Sequence, residues 1–285
     1  MYEISLVDKG LKLKNTISYS LSIQVNLNGF SFSVYDPYSK TVLCLKHIPF
    51  QNTAIDQDDL TNKIVSIIQG EKILHRKFKF VSFTYQSIKS TLIPKKHFQK
   101  DSLKQVFEQN HQMDDLDELH FNELRAMDGY NVFTVPNYLG NEFTQRYRRV
   151  YFYHHATCMI LEALKHDETH MDSRVYINVN SGFFDVLIVK GKQVYLYNTF
   201  QFRSPDDLVF YVVSVFKQLH LAPGKAYIHY SGFISSESSE LQLLRKFLGN
   251  VHACNPNENL VFSKKFHKFS LHYFTNLFNL HLCAS

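Results

Sequence analysis

Leu21-Ser-Ile-Gln-Val-Asn-Leu-Asn-Gly-Phe-Ser-Phe-Ser-Val-Tyr35 alternates apolar and polar side chains on both sides of Asn28-Gly29, and Val175-Tyr-Ile-Asn-Val-Asn180 likewise runs into a turn, Ser181-Gly182, from which the mostly apolar Phe183-Phe-Asp-Val-Leu-Ile-Val189 returns. Period-two alternation in the first stretch, and strand-forming residues on both sides of a two-residue turn signal in each, predict two β-hairpins. A third strand follows each hairpin: residues 41–47 after Asp36-Pro37-Tyr38-Ser39, and residues 193–200 after Lys190-Gly191. Their β-branched and apolar residues favour a pleated surface, and the intervening Asp, Pro, Ser and Gly supply turns.

Working outward, each three-stranded meander leads into a helix. Asp56-Gln-Asp-Asp59 precedes Leu60, Ile64, Val65, Ile67 and Ile68 and the helix stops at Gly70; Ser204-Pro205-Asp206-Asp207 opens a second helix that runs to about Leu219. Acids in the first turn complement the helix dipole, serine caps, proline fits the first turn, and glycine suits the C-terminal end. Leu208, Val209, Val212, Val213, Val215, Phe216 and Leu219 make the second helix apolar nearly all round, so it is expected to lie buried on a sheet. Strands at residues 77–85 and 225–230 come next, and a strand, crossover helix and returning strand imply parallel pairing. Each half therefore reads βββαβ.

The remainder is less regular. Residues 101–110 read as helix, 113–119 as an acidic segment, 131–136 as strand, 138–146 as helix, 150–154 as strand and 156–165 as helix, completing the first half. The second half closes with a helix at 238–248, a short strand at 251–254 and the aromatic amphipathic run 270–280. The expected domains are 1–171 and 172–285, with the boundary near Asp172.

Composition admits such a fold and excludes other classes. A chain of 285 residues, 45% hydrophobic and 15% aromatic, can bury one or two cores and is not disordered. The net charge of +5 is mildly basic, but Lys and Arg are interspersed with acids rather than arrayed for a phosphate backbone, so nucleic acid is not implied. Cys44, Cys158, Cys254 and Cys283 lie far apart with no CxxC pair, which suits reduced thiols in a cytoplasmic protein and indicates neither zinc nor disulfides. The N-terminus lacks a basic segment followed by an apolar one, and the longest apolar run, residues 208–216, is too short to span a membrane, so a soluble, unexported protein is expected.

The order of elements, the segment Thr91-Leu-Ile-Pro94 after the fourth strand and the ending His272-Tyr-Phe-Thr-Asn-Leu-Phe-Asn-Leu-His-Leu-Cys283 together resemble an uncharacterised bacterial family with the actin-like ATPase, ribonuclease H-like fold, distantly similar to pilus-assembly and cell-division actin relatives. The resemblance covers nearly the whole chain. It implies an α/β protein of two βββαβαβα lobes, each with a five-stranded mixed sheet, and a cleft between them that in active relatives holds ATP or ADP with magnesium.

Active relatives place an aspartate and a glycine-rich turn at the first hairpin of each half. By that resemblance Asn26 takes the aspartate position of the first half, with Asn28-Gly29 in the loop and Phe30 where a small residue is expected. Asn180 takes it in the second half, followed by Ser181 and Gly182, with Phe183-Phe184 replacing small residues. Asparagine offers a neutral carbonyl, a weaker magnesium ligand than a carboxylate and no general base. Short turns leave few free N–H groups for a triphosphate, and the phenylalanines are expected to take up its volume. As plain structure, both motifs are ordinary hairpins with Asn-Gly and Ser-Gly turn chemistry. Asp185 is the nearest surviving acid. Ile228-His-Tyr-Ser231-Gly232 followed by Ser235-Ser-Glu-Ser-Ser239 stands where relatives contact adenosine, and it reads equally as a strand end followed by a helix cap.

Other groupings are open to a blander reading. Glu162, His166 and His170 recur every four residues, as metal ligands on one helix face or as a solvated face. Arg146, Arg148 and Arg149 suit phosphate or simply flank a buried strand. Asp114, Asp115, Asp117 and Glu118 read as a solvated acidic loop. The tail at 266–282 could dock a partner or pack on its own lobe. Three functions follow: a noncatalytic cytoplasmic binding or assembly module with an unidentified protein partner and no cofactor; a nucleotide-binding switch without efficient hydrolysis, using Ser231-Gly232; or a divergent ATPase or sugar kinase-like phosphotransferase using Asp36 or Asp185.

Overall fold

A computed structural model describes residues 2–50, 57–165 and 173–283. The chain separates into two compact units: Met1–Cys158, Glu258–Phe269 and Leu277–Ser285 form the first, and Met159–Asn257 with Ser270–Asn276 the second. Asp172, the expected boundary, and Asp56, the first of the acids expected at the start of the first helix, lie outside the described residues, as do His166 and His170.

The first unit contains β1 (Ile4–Val7), β2 (Ser20–Asn26), β3 (Gly29–Asp36), β4 (Thr41–Pro49), α1 (Gln57–Gly70), β5 (Phe80–Tyr85), β6 (Ser90–Pro94), α2 (Leu103–Glu108), β7 (Asp117–Leu124), β8 (Gly129–Pro136), α3 (Asn137–Arg146) and β9 (Val150–Tyr153). Its main sheet has the order β1-β4-β3-β2-β5-β9. The meander β2-β3-β4 is antiparallel, whereas β5 pairs parallel to β2 and β9 parallel to β5. Leu21, Ile23 and Val25 of β2, with Phe30, Phe32 and Val34 of β3, line one face and pack with Leu60, Ile64 and Ile68 of α1. The period of two on the strands and the four-residue spacing on α1 are what let these side chains meet. A separate antiparallel sheet, β6-β8-β7, carries α2 on its own small core. It is tied back by Asn122, whose Oδ1 accepts hydrogen bonds from the His154 amide and the Thr157 hydroxyl at 3.2 and 2.8 Å.

The second unit contains most of α4 (His155–Lys165), then β10 (Arg174–Val179), β11 (Phe183–Lys190), β12 (Gln193–Gln201), α5 (Pro205–Gln218), β13 (Tyr227–Gly232), α6 (Ser239–Leu248) and β14 (Val251–Ala253). The sheet order is β12-β11-β10-β13-β14, with an antiparallel meander followed by two parallel strands. This is the same order as β4-β3-β2-β5-β9. The β-bulge also recurs, between Val34 and Tyr35 in β3 and between Ile188 and Val189 in β11, at the same distance from the hairpin end. At the start of α5, the Asp207 amide donates to Ser204 Oγ at 3.2 Å and Asp207 Oδ2 accepts from the Ser204 amide at 3.0 Å. This capping box satisfies two otherwise orphaned donors and fixes where the helix begins. β15 (Val261–Phe262) then pairs parallel to β4, and α7 (Thr275–Cys283) ends the described chain.

Several sequence expectations are corrected. The first sheet gains β1 and β15 beyond the expected five strands. The segment expected to be a solvated acidic loop contains the start of β7, where Asp117 is ion-paired to Lys89 at 2.7 Å. The first hairpin turns at Leu27-Asn28, with Asn26 paired to Gly29, and the later turn at Gly191-Lys192, with Lys190 paired to Gln193. Among the described residues, no helix is long and apolar enough to cross a membrane.

Candidate functional site

In the first unit Asn26 ends β2 with its side chain buried. Its Oδ1 accepts from the Asn28 amide at 2.9 Å, and its Nδ2 donates to Gln86 Oε1 at 2.7 Å, just beyond the end of β5. An Asx-type bond of this kind lets the turn close with neither Leu27 nor Asn28 at positive φ. Gly29 is required for a different reason. A Cβ there would lie 2.8 Å from His47 Cε1 and 2.9 Å from the Ile48 carbonyl, so the close approach of β4 excludes a side chain. The His47 ring sits 2.8 Å from Ser31 Oγ through Nδ1, and burial lowers its pKa to about 4, leaving a neutral imidazole at neutral pH. The strand register places Thr84, Gln24, Ser31 and His47 in one row across β5, β2, β3 and β4. Gln24 Oε1 and Thr84 Oγ1 in this row are buried without a hydrogen-bond partner.

The corresponding row of the second unit is Ser231, Asn178, Asp185 and Thr199 across β13, β10, β11 and β12. Here the carboxylate is the hub. Asp185 is fully buried and accepts from Asn178 Nδ2 at 3.0 Å, Thr199 Oγ1 at 2.7 Å and Tyr197 Oη at 2.9 Å, with Asn180 Nδ2 at 3.4 Å. Ser231 Oγ extends the chain by donating to Asn178 Oδ1 at 3.1 Å. Hydrogen bonds from neutral donors offset the cost of burying the Asp185 carboxyl group. At the hairpin tip the Asn180 amide donates to the Phe183 carbonyl at 2.8 Å, and Ser181-Gly182 forms the turn. Gly182 has φ +77° and no atom within 4 Å of where a Cβ would lie, so its glycine answers to backbone conformation alone. Asn180 Oδ1 is buried with no donor.

Gly232 is held more tightly than either turn glycine. With φ +84°, a Cβ would fall 2.1 Å from the Val179 carbonyl oxygen and 2.9 Å from its amide nitrogen. Beyond it, Ser238 Oγ accepts from the Leu241 amide at 3.4 Å and Ser235 Oγ from the Glu237 amide at 3.4 Å, so these serines serve their own turn and helix.

The structure redirects some expected roles. Phe30 and Phe184 point into the cores of their own units rather than over the hairpin turns, because side chains alternate along a strand and theirs share the faces of Val34 and Ile188. Asp36 lies at the other end of β3 from Gly29, with its carboxylate accepting from the Tyr38 amide at 3.0 Å and Ser39 Oγ at 2.9 Å. Glu162 is buried and accepts from Asn257 Nδ2 at 3.0 Å. Among the described residues no three His, Cys, Asp or Glu side chains group as metal ligands. Gln86, Asn178, Tyr197 and Thr199 escape sequence reasoning, since each joins the site through cross-strand register rather than through a motif.

These groups do not fit a magnesium triphosphate. The Asn26 carbonyl already accepts a turn amide and its NH2 is held by Gln86, so replacing those bonds with a metal would break the hairpin cap. Asp185, the acid nearest Asn180, is engaged by Asn178, Tyr197 and Thr199 within the sheet. A hard cation seeks several free oxygens, preferably carboxylates.

Comparison with known proteins places this geometry among actin-like folds. The family model described as "Protein of unknown function (DUF3822)" matches residues 8–251. A Bacteroides thetaiotaomicron protein with an actin-like ATPase fold and unknown function is similar at TM-score 0.77 and 23% identity, over 87% of this chain and 96% of that one. A chain of the PilM-PilN type IV pilus biogenesis complex is similar at TM-score 0.60 and 12% identity, over 92% of this chain and 97% of that one. At such identities the likeness is one of fold. No curated protein matches the chain.

Proposed function

We propose that this chain, which belongs to the DUF3822 family of proteins of unknown function, is a noncatalytic actin-like-fold module that binds a protein partner and neither turns over nor requires ATP. The observation that carries this reading is the pair of neutral amides at the two hairpins. Asn26 is engaged by Asn28 and Gln86, and Asn180 stands beside a carboxylate already held by its neighbours. An amide cannot act as a general base and binds magnesium weakly. That a protein of this fold is solved within the PilM-PilN complex supports a role in partner binding, although fold alone does not fix function. The test is phosphate release from ATP and magnesium by the purified chain. The expected rate equals the protein-free background, and release abolished by Asp185→Asn would favour a divergent phosphotransferase.

One observation favours a second reading, a nucleotide-responsive switch. Asn180 Oδ1 is a buried acceptor without a donor, and a ligand hydroxyl or amine reaching it would relieve that cost. A melting temperature that rises saturably with ATP or ADP would support it, since a ligand that binds only the native state stabilises by mass action.

A further inference from the structure

We propose that the first unit carries a docking site for an acidic protein segment, in a basic cavity at the end of the main sheet remote from the Asn26 hairpin. This deepens the reading of the chain as a partner-binding module and rests on it for the assignment of the occupant to protein.

The cavity encloses about 790 Å³ between residues 74–81 and 145–149, with Ile17 on one side. Two segments form its walls as they enter neighbouring parallel strands. The Val81 amide donates to the Arg149 carbonyl at 3.2 Å, the Lys79 amide to the Tyr19 carbonyl at 2.8 Å, and Tyr147 Oη to the Leu74 carbonyl at 2.9 Å. The backbone is therefore fixed on both sides. Because β2, β5 and β9 run parallel, this is the end at which they start, whereas Asn26 and Gln86 lie where β2 and β5 finish.

The rim is Arg76, Lys77, Lys79, Arg148 and Arg149, all exposed. Among the described residues none of these five makes an ion pair, and no acid lines the cavity. Arg146, also on the wall, is already held by Glu142 at 2.6 Å. Five like charges brought to one rim from segments about seventy residues apart favour an anion there, and Lys79 Nζ also lies 5.2 Å from the centre of the Phe80 ring. The accessible apolar lining is Ile17, exposed, and Phe78, half-buried, above Leu74, Val81 and the ring of Tyr147, which lie buried beneath.

The chemistry of the lining selects the occupant. A nucleotide or sugar pocket needs convergent neutral donors and acceptors around a largely apolar cavity. Here Gln145 is the uncharged polar side chain besides Tyr147, whose hydroxyl is committed to Leu74. Charges spread along both walls over an apolar floor match several carboxylates flanking one bulky apolar side chain. An acidic segment with an aromatic or aliphatic anchor meets that description.

The test is fluorescence anisotropy with the full chain and a fluorescein-labelled peptide of glutamates around a central phenylalanine. Saturable 1:1 binding is expected. Replacing the phenylalanine with serine should weaken binding about tenfold, the loss of one buried anchor. Lys77→Glu with Arg148→Glu should weaken it by about tenfold or more, while Lys217→Glu with Lys246→Glu, the same charge change on the second unit, should leave it within about twofold. All four positions are exposed, so the variants are expected to melt as the parent does. Equal losses from both double variants, equal affinity for the two peptides, or no binding at low salt would overturn the proposal. So would tighter binding of tripolyphosphate or of a single-stranded oligonucleotide at the same rim. A failed titration removes this docking site and leaves the nucleotide experiments to judge the module reading separately.

Discussion

Asn178 and Asp185 face each other across β10 and β11, with Asn178 Nδ2 donating to Asp185 Oδ2 at 3.0 Å while Asn178 Oδ1 accepts from Ser231 Oγ at 3.1 Å. One amide thus relays a hydrogen-bond chain from β13 to β11, and Tyr197 and Thr199 complete it from β12. A carboxyl group so placed ties three strands of the sheet together. Asp185→Ala would leave buried donors unpaired and is expected to cost roughly 3–5 kcal/mol, read from urea unfolding. A cost under about 1 kcal/mol would contradict the structural role.

Gly232→Ala should be among the most damaging small substitutions. Its Cβ would meet backbone atoms of Val179, which cannot rotate aside, at a residue already in the left-handed region. Gly191→Ala, with φ +57° and no atom within 4 Å, bears only the conformational cost of about 1 kcal/mol. Denaturant midpoints should separate the two clearly, with Gly232→Ala losing several times more.

The burial of His47 gives stability a pH dependence of definite sign. Burial lowers the histidine from 6.5 to about 4, so between those values the unfolded chain binds a proton that the folded one refuses. The contribution is complete above pH 6.5 and is lost as pH falls toward 4, on the order of 3 kcal/mol at the acid end. Other histidines contribute, as burial also lowers His120 and His272. The difference between parent and His47→Gln isolates this residue: unfolding free energies at pH 7.5 and 5.0 should fall less in the variant.

Cys158 and Cys283 bring their sulfurs within 2.9 Å, linking α4 to α7 inside the first unit. Diamide, which takes up the two thiol hydrogens, should join them into one disulfide, seen by peptide mapping as a 158–283 link and absent in Cys283→Ser. Cys44 and Cys254 should remain thiols, because burial raises both to about 12 and suppresses the reactive thiolate.

The meanders are readable from the sequence because alternation and turn residues are local signals, and the parallel strands follow from crossover helices. β1, β15 and β7 are not readable. β1 and β15 have four and two residues and exist through pairing with β4, and β7 is acid-rich and held to its surroundings by Lys89. Within the site, the positions of Asn26 and Asn180 follow from their spacing to glycine. Their partners do not, since register and bulges decide which side chains oppose each other across strands. The same register turns Phe30 and Phe184 inward, where the order of residues along the chain sets them over the turns. The proximity of Cys158 and Cys283 likewise depends on two helices distant in sequence.

The central claim, that neither hairpin seats a magnesium nucleotide, is tested most directly by calorimetric titration of ATP with magnesium into the purified chain. The expected result is heat indistinguishable from dilution. A saturable, magnesium-dependent isotherm, lost on replacing Asn26 or Asn180, would contradict it.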